Sequence, residues 1–292
     1  MAGRGAAGPS GVLTMKARSL ALLLPSTALF VLCFVLPAGY FFVVSFWRVR
    51  SYQLTPDFTF DNYAQVGPSY GSTLVTTLVL AAIIATVVTV AGFAFAYLCR
   101  FKAGRFAPVL LAIALLTLFG GYLTKIYMWR TILGSSGILN SSLLSLGLID
   151  EPITAFLFNP VSVVITLGHY LLPFAILPLY GALQSIRNEP IDAARDLGAG
   201  RGQIFRQVVL PQAALGIATA FTLVFLFAAG DFATAGLVGG PDASLIGVFI
   251  QAQFTQRLNQ PMGSAMAFTM VAASLLLVAL LSLSIRQILR YR

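Results

Sequence analysis

Few residues in this sequence could do chemistry. The single histidine, His169, and a serine in Gly134-Ser135-Ser136-Gly137 are the types a nucleophilic hydrolase pairs, because imidazole can take the serine proton. That run is short and lies in a Gly/Ser-rich stretch, and a lone histidine among apolar neighbours fits a structural hydrogen bond better. An intramembrane serine protease is therefore the weakest alternative. Asp231 ends an apolar run, and an acid placed there could attract a cation. Tyr122, Tyr127, Tyr170 and Phe232 could face an alkylammonium through cation–π attraction, although aromatic residues also belt membrane interfaces. Cys33 and Cys99 sit in apolar settings with neither CxxC nor metal-ligand spacing, so no disulfide, metal or cofactor is expected. None of the lysines Lys16, Lys102 and Lys125 completes a GxxxxGK[ST] phosphate loop. If ATP powers this protein, another chain hydrolyses it.

The elements that must position these residues are membrane helices. Of 292 residues, 58% are hydrophobic and only 9% charged. Soluble domains carry about 25% charged residues, so this apolar excess must face lipid. The net charge of +9 does not point to nucleic acid, because the charges are scattered between apolar runs and not gathered on one face. Charge-free windows cover 19–47, 63–99, 106–124, 152–186, 207–230 and 258–285. A helix needs ~20 apolar residues to cross the hydrocarbon core. The expected helical cores are 20–45, 72–99, 107–128, 161–185, 213–235 and 263–285, making an all-α integral membrane protein with six transmembrane helices. The runs are continuous and not alternating, which favours helices over barrel strands.

Window 131–149 is also uncharged, but it is rich in serine and glycine and is expected to be a partly buried loop with one short helix. Six spans with both termini cytoplasmic place thirteen of the 18 basic residues inside, Arg187, Arg195, Arg201 and Arg206 among them. Arg48, Arg50, Lys125, Arg130 and Arg257 fall outside, the bias that the positive-inside rule expects. Residues 1–19 read as a cytoplasmic tail, 20–285 as one transmembrane domain and 286–292 as a second short tail.

The segment with most information is 187–211, RNEPIDAARDLGAGRGQIFRQVVLP, between the fourth and fifth spans. Asn188 suits a helix N-cap, and Pro190 its first turn. Glu189 and Asp192 suit the positive end of the helix dipole. Ile191, Ala194 and Leu197 make a narrow apolar stripe, and Gly198 can take the left-handed conformation that ends a helix. A second short helical stretch with Ile204 and Val208 on one face follows, and Pro211 precedes the next span. The small Ala193 and Ala194 would let a partner approach closely.

Asp192, Ala193, Ala194, Gly198, Val208, Leu210 and Pro211 together resemble the EAA loop of permease subunits from binding-protein-dependent ABC transporters. Asp192 stands where that family usually has Glu, which keeps the charge and shortens the reach. DFTFDNYAQV (57–66), YMWRTILGSSGILNSSLLSLGLI (127–149) and GDFATAGLVGGP (230–241) resemble the spermidine/putrescine branch. The resemblance implies a permease with no catalytic residue, whose 187–211 loop docks on an ATPase. It implies as partners two cytoplasmic ATPase subunits, a second and different permease chain and an extracytoplasmic solute-binding protein, within membrane lipid and without nucleic acid. The implied solute is a polyamine. A secondary transporter or channel is the other alternative, and it leaves the 187–211 pattern unexplained.

Overall fold

The long apolar runs become the long helices of the computed structural model, which describes residues 23–51 and 53–290, apart from the side chains at 242 and 284–290. The tail expected over 1–19 lies outside the described residues. Along the chain come α1 (Leu23–Val44), the antiparallel hairpin of β1 (Arg48–Arg50) and β2 (Gln53–Thr55), and α2 (Asp61–Phe101). Next are α3 (Gly104–Phe119), α4 (Tyr122–Leu133), α5 (Ile138–Ser145), α6 (Pro160–Gln184) and α7 (Asn188–Asp196). The chain ends with α8 (Arg201–Ala229), α9 (Ile246–Thr255) and α10 (Gln260–Arg290). Among the described residues, α1, α2, α6, α8 and α10 are long and apolar enough to cross a bilayer, and a bent pair, Gly104–Phe119 with Tyr122–Ser145, makes a sixth candidate.

Several expected boundaries move. The third span is not one helix over 107–128, because the chain bends by 98° between α3 and α4. Gly120 and Gly121, the poorest helix formers after proline, stand at the break with extended ψ values of 127° and 141°. The second span starts at Asp61 and not near 72, running 41 residues. At 1.5 Å per residue that is about 60 Å, roughly twice the hydrocarbon thickness. The Asn62 amide donates to Ser45 O at 2.8 Å and Trp47 O at 2.9 Å, tying the start of α2 to the end of α1. The fifth span stops at Ala229 and not at 235, and Asp231 opens a separate turn over Ala235–Gly239. At the other end α10 continues to Arg290, so the chain expected as a tail over 286–292 begins as helix.

The stretch 131–149 holds the last residues of α4 and the short helix α5, with a loop between them. Its anchor is Asn140, which is fully buried. Its amide donates to Gly134 O and Ile153 O, and its carbonyl accepts from Ile153 N.

The core is where α2, α6 and α8 cross. Ile84, Ala85, Leu171, Ala175, Leu179, Ala213, Ala220 and Val224 are all buried there. Lipid tails are as apolar as these side chains, so close packing holds the helices together, and small residues permit it. A Cβ on Gly92 would lie 3.2 Å from both Ala175 and Leu179. A Cβ on Gly216 would overlap Ala182 and sit 3.0 Å from Pro178 O. By contrast α1 is almost wholly uncovered, and one of its contacts with α10 is an edge-on Phe42–Phe268 pair at 5.0 Å.

Gly216→Val should therefore force α6 and α8 apart at a cost of about 1–3 kcal/mol. Thermal unfolding of the purified protein in detergent reads this, and an unchanged melting temperature would contradict the close crossing.

Candidate functional site

The loop after α6 is a built element. Arg187, in extended conformation, caps α7, and Asn188 takes the first helical position in place of the cap expected of it. Arg100 at the end of α2 uses Asn188, donating to its Oδ1 at 2.9 Å and to Ile186 O at 3.2 Å. The Glu189 carboxyl is held below its usual range by its own backbone N–H and then by Arg187. Pro190 lies in the first turn, where a missing N–H costs nothing. Asp192 pairs with Arg195 at 2.9 Å on the exposed face, worth only a few tenths of a kcal/mol.

The expected stripe on α7 is only partly right. Ile191 is 8% exposed and Ala194 packs against the core, but Leu197 is 89% exposed. Leu197 is the C-cap, where the backbone leaves the helical spiral. Gly198 follows at φ +81°, with Gly198 N donating to Arg195 O and Ala199 N to Ala194 O at 2.9 Å each. This pair of bonds closes the helix end, and a left-handed residue makes it possible. Ala193 and Leu197 therefore lie exposed beside a sharp stop.

No separate second helix follows. Arg201–Ile204 leads through a π-turn at Phe205–Val209 straight into the rest of α8. Pro211 therefore lies inside a continuous helix, and the widened turn before it absorbs its lost hydrogen bond. Val208 is half-buried and Leu210 partly exposed on this stretch. Phe205 meets Phe93 at 6.0 Å and Tyr97 at 5.8 Å edge-on, a second attachment of the loop to α2.

The second group lies inside the bundle. Asp231, 7% exposed, accepts from the Tyr122 hydroxyl, from Thr234 Oγ1 at 3.2 Å and from Ala235 N at 3.2 Å. Tyr122 also contacts Thr234 at 2.9 Å, and its ring centre is 4.7 Å from that of Tyr170. So α4, α6 and the segment after α8 bring Tyr122, Tyr170 and Asp231 together. Tyr127 is not part of this group, because it lines an open cleft of about 700 Å³ with Arg130, Ser135, Ser136 and Phe158. Phe232 faces a different groove of about 410 Å³ beside Ile246 and Phe254. His169 meets Trp129 edge-on at 5.7 Å, in keeping with a structural role.

Lys125 escaped the sequence reading, which placed it among outer flanking charges. It is 5% exposed, and its ammonium lies 5.2 Å from the Tyr170 ring centre. The signal available was its place three residues after Tyr122, one helical turn along the same face.

The bundle, with its broken span and capped loop helix, shares its fold with solved ABC importer structures. Residues 101–291 match the binding-protein-dependent transport system inner membrane component family, and the chain belongs to that family. It is a multi-pass protein of the inner membrane and not itself an enzyme. It is 35% identical over 221 residues to the spermidine/putrescine transport system permease protein PotB of Haemophilus influenzae, covering 75% of this chain and 77% of that protein. PotB of Escherichia coli K12 is 36% identical over 214 residues, covering 73% of this chain and 78% of that one. A bacterial alginate ABC transporter, solved with a periplasmic protein bound to an alginate pentasaccharide, shares the fold with TM-score 0.77 and 17% identity, over 96% of this chain and 97% of that one.

Arg100→Met should loosen the hold of α2 on the start of α7, removing hydrogen bonds worth about 1 kcal/mol. Amide exchange over 186–196 should then quicken about fivefold while the core of α6 stays protected. Unchanged exchange in the loop would show that Arg100 does not hold it.

Proposed function

We propose that this chain lines the translocation path of a polyamine importer and takes its force from separate ATPase subunits through α7. The likeness to spermidine/putrescine permeases over three quarters of the chain carries this reading. The buried group agrees with it. Two tyrosine faces offer cation–π attraction to a primary ammonium, and the Asp231 carboxyl is bonded to one of them.

In this reading the 187–211 loop faces the cytoplasm with both termini, and residues 20–285 form the permease domain. Asp192, Ala193, Ala194 and Gly198 present the docking face, while Val208, Leu210 and Pro211 carry the movement into α8. The partners are two cytoplasmic ATPases, a second and different permease chain and an extracytoplasmic binding protein that delivers the solute. When the ATPases close, the loops move together and the helices tilt as rigid bodies, opening the path alternately to each side. Two supports favour a rigid lever. Arg100 and Phe205 fasten the loop to α2, and the closed end at Gly198 leaves no slack in α7.

The test uses the complete transporter in liposomes. Gly198→Trp should leave ATP hydrolysis running while uptake per ATP falls at least about tenfold, because the left-handed turn is lost. Normal coupling in that variant would remove the lever. Asp231→Asn should lower spermidine uptake about tenfold, the order expected when one charge near a cation path is neutralised. Undiminished uptake would dismiss Asp231 from the path.

A further inference from the structure

Lys125 presents a physical problem that permease function leaves unsolved. Its Nζ is buried and has no hydrogen-bond partner among the described residues. An ammonium in that state is costly unless something else attracts it. Asp231 is not that partner, since its bonds go to Tyr122, Thr234 and Ala235. The attraction on hand is the Tyr170 face at 5.2 Å, and Tyr170 lies against Tyr122, whose hydroxyl donates to that acid. Successive contacts through the tyrosine pair thus link the ammonium to the carboxylate.

The stem of the side chain also has its place. It folds back over the break between α3 and α4, where a Cβ on Gly120 would lie 3.2 Å from Lys125 Cε. The missing side chain at Gly120 makes room for a four-carbon chain. A lysine side chain is a butylammonium on a tether, the same chemistry as one end of an aliphatic diamine.

We propose that the space bounded by Gly120, Tyr122 and Tyr170 is an alkylammonium-binding site and that the Lys125 side chain is its resident occupant, displaced by a primary ammonium of the solute. The displacement by solute rests on the polyamine reading above, but the site itself does not. Two ammonium groups cannot share one aromatic face a few ångströms apart, so solute entry expels Lys125. Lys125 lies on α4 four residues beyond the break, and its exit frees α4 to turn about Gly120 and Gly121. The tethered amine thereby holds the empty path closed and gives way to a competitor of its own kind.

The test measures the melting temperature of the complete transporter in detergent. Lys125→Ala should lower it, and millimolar n-butylammonium should restore most of the loss while leaving the wild type unmoved. Neutral n-butanol and acetate should restore none of it. If n-butanol works as well, or acetate works instead, or nothing does, the site is not an alkylammonium site and the proposal falls. Should the alanine variant fail to assemble, Lys125→Met keeps the stem and leaves the ammonium position for methylammonium, and the same titration decides. Spermidine should also bind Lys125→Ala, without the binding protein, about tenfold tighter than wild type, as expected for removal of a competing cation–π contact. Rescue by the small amine without tighter spermidine binding would keep the site and remove the polyamine as its solute.

Discussion

Inside a bilayer a charge or an unpaired amide has only protein to turn to, and this constraint shapes the molecule. Water cannot repay a lost hydrogen bond there. Asp231 is therefore wrapped by a phenol from α4 and by a hydroxyl and a backbone N–H from its own following turn. Asn140 spends its amide on Gly134 and Ile153 and closes the loop around α5. Lys125 has a tyrosine face in place of an oxygen. Each solution draws chemically able residues to the places where the helices are broken, and a moving solute would need such groups at the same places.

The mechanical side obeys the same economy of contacts. Since lipid does not press the helices together, α2, α6 and α8 rely on small residues at their crossings. Such a core transmits displacement well, because it has little room to deform. The loop below it joins that core through Arg100 and the Phe205 edge contacts. A push on α7 would move α2 as well as α6 and α8, which suits rigid tilting better than a local bend.

Span number and order were legible because hydrocarbon thickness sets a length that charges visibly bracket. The loop signature was legible because Gly198 needs its left-handed turn and the pattern around it is long. The misses have two causes: two depended on a neighbour distant in sequence, and two on a backbone turn at glycines inside an otherwise regular pattern. Asn188 has the chemistry of a cap, but Arg100, 88 residues away, claims its oxygen. Leu197 fits the period of the stripe, yet the turn at Gly198 leaves it outside. The break at Gly120 and Gly121 hid inside an apolar run that reads as one span. Lys125 looked like a flanking charge because nothing local shows that Tyr170 lies over it.

The central claim is that α7 stands in the cytoplasm, where a nucleotide-hydrolysing subunit can grip it. Cysteine placed at Ala193, after Cys33 and Cys99 are replaced by alanine, would report this to a membrane-impermeant maleimide. Labelling of inverted vesicles alone, suppressed when purified ATPase subunit is added, is the expected result. Labelling of right-side-out vesicles, or of neither kind, would contradict it.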